Sequence, residues 1–127
     1  MKHQALGVDI GTTGVKAALI DIDGRLLGSA TVEHDLHSPQ AGWAEEDPAD
    51  WIAGTIAALR QIVQHPEFDP NGIAAIGVSG MVPAMVLLDD AGNPVRPSIQ
   101  QNDARAIAEV EELKNRIDQE MLYERTG

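Results

Sequence analysis

The feature that most constrains this chain is the stretch Gly11-Thr12-Thr13-Gly14, set between two runs of strand-forming residues. Ala5 to Asp9 is apolar and ends in a carboxylate, and Val15 to Ile20 is a second apolar run. Strands this close in sequence, with glycines to turn the backbone, pair antiparallel as a hairpin. Asp21-Ile22-Asp23-Gly24-Arg25 then supplies a second turn, because Asp-Gly tolerates the positive φ a tight turn requires, and Leu26 to Val32 reads as a third strand. The opening is expected to be a three-stranded antiparallel meander.

A polar connector from His34 to Glu46 follows, carrying Pro39 and Gly42. Asp47 is placed to cap a helix, with Pro48 at its first position and Asp50 favouring the first-turn dipole. Ile52, Ile56, Leu59 and Val63 recur at helical spacing and predict the buried face, and Pro66 ends the pattern. Ile73 to Val78 is a continuous apolar run, expected to be a central strand covered on both faces. Ser79-Gly80 breaks it, Ala84 to Leu88 reads as the next strand, and Asp89 to Pro94 is a turn. A last helix is expected from Asp103, with Ile107, Val110, Leu113, Ile117 and Met121 on one face. Ala18 to Gly24 and Val86 to Gly92 look alike, which reads as two hairpins sharing one turn chemistry. The predicted order is β-β-β-α-β-β-α, an α/β domain with a mixed sheet.

A length of 127 residues fits one domain. Against 9 Lys and Arg stand 20 Asp and Glu, a net charge of −11, which argues against nucleic-acid backbone and anionic membrane surfaces as partners. The chain has no Cys, which removes disulfides, thiolate metal sites and cysteine nucleophiles. Asp9 interrupts the early apolar stretch before it reaches signal-peptide length, and no window approaches a transmembrane span. These features lead to the expectation of a soluble, cytoplasmic protein.

The chemistry concentrates in Asp9-Ile10-Gly11-Thr12-Thr13-Gly14-Val15-Lys16. Gly11 and Gly14 bring backbone N–H groups close to a ligand, and the Thr12 and Thr13 hydroxyls suit phosphate oxygens. Asp9 can hold Mg²⁺ directly or through water, and Lys16 supplies a cation in an acidic chain. The spacing is neither a P-loop nor a dinucleotide fingerprint. The plain alternative is a hairpin that merely needs glycine. His34 and His37 are the one closely spaced histidine pair, in a polar connector that gives no other ligand signal. Glu109, Glu111, Glu112, Lys114 and Arg116 read as the solvated face of a helix.

Asp-x-Gly-Thr-Thr between the first two strands resembles the first phosphate motif of the actin, hexokinase and chaperone superfamily. Later segments narrow the resemblance to the FGGY carbohydrate kinases, toward xylulokinase-like members. Gly42-Trp43-Ala44-Glu45-Glu46-Asp47-Pro48 is similar to that family's Gly-Trp-x-Glu-x-Asp-Pro connector, with Trp51 following. Ile76-Gly77-Val78-Ser79-Gly80 resembles the strand that delivers its sugar-pocket loop. Pro97-Ser98-Ile99-Gln100-Gln101-Asn102-Asp103-Ala104-Arg105 is similar to its Pro-x-Ile-x-Trp-x-Asp-x-Arg segment.

The resemblance implies a ribonuclease H-like (actin-like ATPase) domain and ATP-dependent phosphorylation of a sugar or polyol hydroxyl. It implies that residues 1–127 are the first part of a sugar-binding N-terminal domain, with the C-terminal domain absent and a homodimer compatible with the pattern. Asp9 would serve Mg²⁺ and ATP; Gly11, Thr12, Thr13, Gly14 and Lys16 would line the phosphate turn. Met81, Val82 and Pro83 would form the pocket loop, and Asn102, Asp103 and Arg105 would lie beside the sugar. Asn102 and Asp103 fit a helix cap as well, Arg105 a surface helix position, and Trp43 either a core anchor or the edge of the sugar site.

Two departures from the pattern stand out. Met81-Val82-Pro83 replaces a Gln-Met-His loop, and Gln101 replaces the Trp of the later segment, so D-xylulose is expected to be a poor substrate. The family's general base falls beyond Gly127, and the 127-residue chain alone is expected to be inactive. The competing reading is a non-catalytic nucleotide-binding or structural module of the same fold. The connector and the Asn102–Arg105 segment favour the kinase.

Overall fold

The computed structural model of the chain describes residues 3–127. In chain order the elements are β1 (Gln4–Gly11), β2 (Gly14–Asp21), β3 (Leu26–Glu33), β4 (Glu45–Glu46), α1 (Pro48–Ile62), β5 (Ile73–Gly80), β6 (Ser98–Ile99), α2 (Ile107–Arg116) and α3 (Gln119–Thr126). The main sheet runs β3-β2-β1-β5 and a short ribbon pairs β4 with β6. β1 is antiparallel to β2 and parallel to β5, so the sheet is mixed, as expected. The meander forms as predicted, with Gly11 opposite Gly14 at its first turn. A Cβ on Gly14 would stand 2.6 Å from the Val32 carbonyl oxygen, so the turn requires glycine there.

Alternation along the strands decides which face is buried. Leu6 and Val8 of β1, Val15, Ala17 and Leu19 of β2 and Ala30 of β3 point to one side, where Ala58 and Ile62 of α1 meet them. Asp47 caps α1 by accepting a hydrogen bond from the Ala49 N–H at 2.9 Å. The helix face differs from the predicted one. Its buried positions include Gly54, Ala58 and Ile62, whereas Ile52, Ile56 and Val63 are exposed and Leu59 only flanks the core. Small residues let the helix lie close to the sheet: a Cβ on Gly54 would be 3.1 Å from Val15 Cγ2.

The two look-alike turns share one geometry. Asp21 Oδ1 accepts from the N–H groups of Asp23 and Arg25 at 3.1 and 2.9 Å, and Asp89 Oδ1 from Ala91 and Asn93 at 3.0 and 2.8 Å. Gly24 and Gly92 complete them at φ 82° and 84°. The second turn lacks the predicted strand at Ala84–Leu88. Only an isolated bridge joins Leu88 to Pro94. Pro97 has no N–H to donate at the next bonded position of the returning arm, so the pairing does not extend past this bridge.

Two further expectations are corrected. β5 is not covered on both faces: it pairs with β1 alone, and Ile76 and Val78 are exposed because α1 lies over β2 and β3. The last helix is two helices. Ile117 turns extended after α2, and Asp118 caps α3 by accepting from Glu120 and Met121 N–H groups at 3.1 Å.

Candidate functional site

The parallel strands β1 and β5 end side by side, at Gly11 and Gly80, and their C-terminal ends are where open α/β sheets place ligands. Cross-strand register puts Thr31 beside Lys16, Lys16 beside Asp9 and Asp9 beside Ser79. All four side chains are exposed, on the face opposite α1. They line a broad concavity of about 650 Å³, whose floor includes Gly7 and Gly77. Asp9 and Lys16 are thus brought together; Thr31, which lies outside every motif, and Ser79, which lies within the Ile76–Gly80 motif without a role of its own there, join them through strand register.

Thr12 and Thr13 sit at the hairpin tip above this row. The Thr13 carbonyl accepts from the His34 N–H at 3.3 Å, which ties the connector to the tip. The Met81 N–H donates to the Ile10 carbonyl at 2.9 Å, so the Met81-Val82-Pro83 loop starts against the end of β1, next to Gly11. The chain therefore gathers the Gly11–Gly14 turn and the Met81–Pro83 loop at one end of the sheet.

The ribbon β4/β6 attaches through a buried polar contact. Glu46 Oε2 accepts from Trp51 Nε1 at 2.7 Å and lies 3.4 Å from His34 Nε2, with both the Glu46 and His34 side chains buried. Glu46 and His34 carried no assigned role in the sequence reading. Beyond β6, Asp103 is fully engaged: Oδ1 accepts from Arg105 N–H and Nε at 2.9 and 2.8 Å, and Oδ2 from the Ala44 N–H and Arg105 Nη2 at 2.6 and 2.7 Å. Arg105 Nη2 also reaches Glu45 Oε1 at 2.8 Å, Arg96 Nη2 pairs with the same oxygen, and the Arg105 guanidinium stacks on Trp43 at 3.8 Å. The Arg105 guanidinium holds the Asp103 carboxyl well below the usual carboxylate range. Neither Asp103 nor Arg105 belongs to a helix, because α2 starts only at Ile107 with Ala106 at its cap and no side chain serving it. Gln101 and Asn102 form the exposed turn just ahead of this cluster.

Among the described residues no group of three or more His, Asp or Glu side chains is placed to hold a metal ion. A single exposed carboxylate beside a basic residue and hydroxyls nevertheless fits Mg²⁺, which binds through one or two carboxylates and completes its shell with water and phosphate oxygens.

Comparison with known proteins identifies the domain. The FGGY family of carbohydrate kinases, N-terminal domain, matches residues 4–127. This chain belongs to the FGGY family of carbohydrate kinases. The FGGY domain is 33% identical to a xylulose kinase of Staphylococcus xylosus over 95% of its own length and 25% of that protein. It is likewise 33% identical to a glycerol kinase of Stenotrophomonas maltophilia, over 96% of this chain and 25% of the relative. Superposed on the crystal structure of xylulose kinase from Rhodospirillum rubrum, it gives a TM-score of 0.85 at 41% identity, covering 94% of this chain and 24% of that one. The fold is therefore that of actin-like sugar kinases, and the chain spans about a quarter of the length of these relatives.

No described helix is long and apolar enough to cross a membrane.

Proposed function

We propose that the protein carrying this domain transfers a phosphoryl group from ATP to a hydroxyl of a small sugar or polyol in the cytoplasm. The observation that carries the reading is the row Thr31–Lys16–Asp9–Ser79 beside the Gly11–Gly14 turn, at the end of the sheet where the Met81–Pro83 loop also starts. Phosphoryl transfer asks a protein for positioning and charge neutralisation more than for covalent chemistry. In this reading Gly11, Thr12, Thr13, Gly14 and Lys16 face the phosphates and Asp9 holds Mg²⁺. When bound, Mg²⁺ neutralises the charge on the transferring group. Lys16, alongside, orients and counterbalances phosphate oxygens, and the Thr12 and Thr13 hydroxyls offer them donors. Met81, Val82, Pro83 and Asn102 border the acceptor, and Asp103 and Arg105 belong to the same wall.

The sugar-side segments favour this over a non-catalytic nucleotide-binding module, which has no use for the Gln101–Asn102 turn. The test is ADP release by the natural full-length protein across glycerol, tetritols, pentuloses and hexuloses, with Asp9→Ala as control. Acceptor-dependent release that the substitution abolishes supports the kinase. Binding of ATP with no acceptor dependence supports the silent module instead.

A further inference from the structure

An ionised carboxylate has about four lone-pair sites. At Asp103 protein donors take four: the N–H, Nε and Nη2 of Arg105, and the Ala44 N–H. No site remains to accept from a sugar hydroxyl. Arg105 is anchored on one edge, with Nε on Asp103 and Nη2 shared by Asp103 and Glu45, and its flat face lies on Trp43. A bidentate guanidinium–carboxylate fork fixes direction as well as distance.

The backbone around the fork explains what it fixes. The Gln100 N–H donates to the Ala44 carbonyl at 2.9 Å, Asp103 N–H to the Gln100 carbonyl at 3.0 Å, and Ala104 N–H to the Gly42 carbonyl at 2.7 Å. Gln101 and Asn102 are therefore the tip of a turn tied to the connector on both sides. Arg96 and Glu45 brace it from β4 and the approach to β6. The buried groups lie behind the turn, while the Gln101 and Asn102 side chains face solvent.

We infer that Asp103 and Arg105 are positioning residues, clamping segment 98–105 to the Trp43–Glu45 connector so that Gln101 and Asn102, not the clamp itself, meet the acceptor. The acceptor part of this inference rests on the kinase reading, whereas the mechanical part does not.

The test uses the natural full-length protein and two readouts. The first is amide hydrogen exchange in Arg105→Ala and in the milder Arg105→Lys, which keeps the charge and loses the fork. Exchange at Gln101 to Ala104 should rise by about tenfold or more in Arg105→Ala and less in Arg105→Lys, with β1 to β3 unchanged. Unchanged exchange in that turn overturns the clamp, and if Arg105→Ala fails to fold, Arg105→Lys decides. The second readout is kinetic. Loss of a clamp in Arg105→Ala raises acceptor KM by about tenfold, leaves nucleotide KM within about twofold, and affects an acceptor and its deoxy analogues equally. Selective loss of preference for one hydroxyl in Arg105→Ala would show direct contact and overturn the positioning role; in Asn102→Ala the same loss is the expected result. A parent protein that phosphorylates no acceptor refutes the kinase reading, and the exchange result then decides the clamp alone.

Discussion

Asp9 and Asp103 are both carboxylates close to the ends of strands, and their surroundings are opposite. Asp103 is saturated by protein donors, while Asp9 is exposed on the concavity beside Lys16. Replacing Asp9 by Ala in the full-length protein should lower kcat by about 10²-fold or more and move acceptor KM little, because the lost group acts on charge that develops during transfer. Steady-state kinetics that find near-normal turnover would remove Asp9 from the phosphate machinery. For Asp103 the readout is pH. Its carboxyl titrates at 3.8 when unfolded and well below that when folded, chiefly through the Arg105 hydrogen bonds. The stabilisation is thus complete above 3.8 and disappears as pH falls through the folded value. The melting-temperature gap between parent and Asp103→Asn should be constant from about pH 5 upward and narrow below about pH 4; a gap that widens on acidification contradicts the sign. Asp21 and Asp89, also lowered by hydrogen bonds, affect both proteins alike and cancel. At the pocket loop, Val82 and Pro83 offer no side-chain donor, and a site without a donor discriminates against an acceptor that needs one. D-xylulose should therefore give a lower kcat/KM than at least one other ketose or polyol, and its being the best acceptor by a wide margin would sink that reading.

Among the elements, the hairpins were legible because glycine, aspartate and alternation act within a few residues of one another. The Asp21 and Asp89 turns could be matched from sequence and share their hydrogen bonds in space. The face of α1 was not legible in the same way. Periodicity weights large apolar residues, but the stretch of α1 over the sheet buries small ones, so Gly54 and Ala58 turn inward ahead of Ile62 while Ile52 and Ile56 form an apolar groove with Val86, Leu88 and Pro94. Long-range packing set that choice. The strand missing at Ala84–Leu88 has a cause in Pro97 of the returning arm, which a reading of propensity in the outgoing arm overlooks. The packing predicts a clear contrast. Ile62, 1% exposed, should cost about 2–4 kcal/mol on truncation to Ala, whereas Ile52, 63% exposed, should cost less than about 1 kcal/mol. Urea denaturation of the two variants measures both, and a larger cost at Ile52 than at Ile62 would mean that α1 sits on the sheet by its other face.

In the whole molecule, the parts of the site were legible as chemistry before their arrangement was. Asp9, the Gly-Thr turn and Lys16 read from sequence as a candidate phosphate site, but their juxtaposition with Thr31 and Ser79 depends on register across β3, β2, β1 and β5, which no single segment encodes. Segment 98–105 read as a sugar wall, and only the three-dimensional partners of Asp103 show that much of it is bracing. The molecule also has one side of its sheet covered and the other open. The row bearing Asp9 and Lys16 lies on the open face, Ile76 and Val78 of β5 are exposed, and α2 and α3 bury no residue. Phosphoryl transfer needs the reacting groups aligned and water kept out, which in two-sided sites comes from closure over the phosphates. A concavity open on one side can touch a nucleotide without aligning it against an acceptor. The purified 127-residue chain should therefore show no acceptor-dependent ADP release above an Asp9→Ala control, whatever sugar or polyol is supplied. Release that depends on the acceptor and on Asp9 would contradict this, and would require a proton acceptor among the chain's own carboxylates.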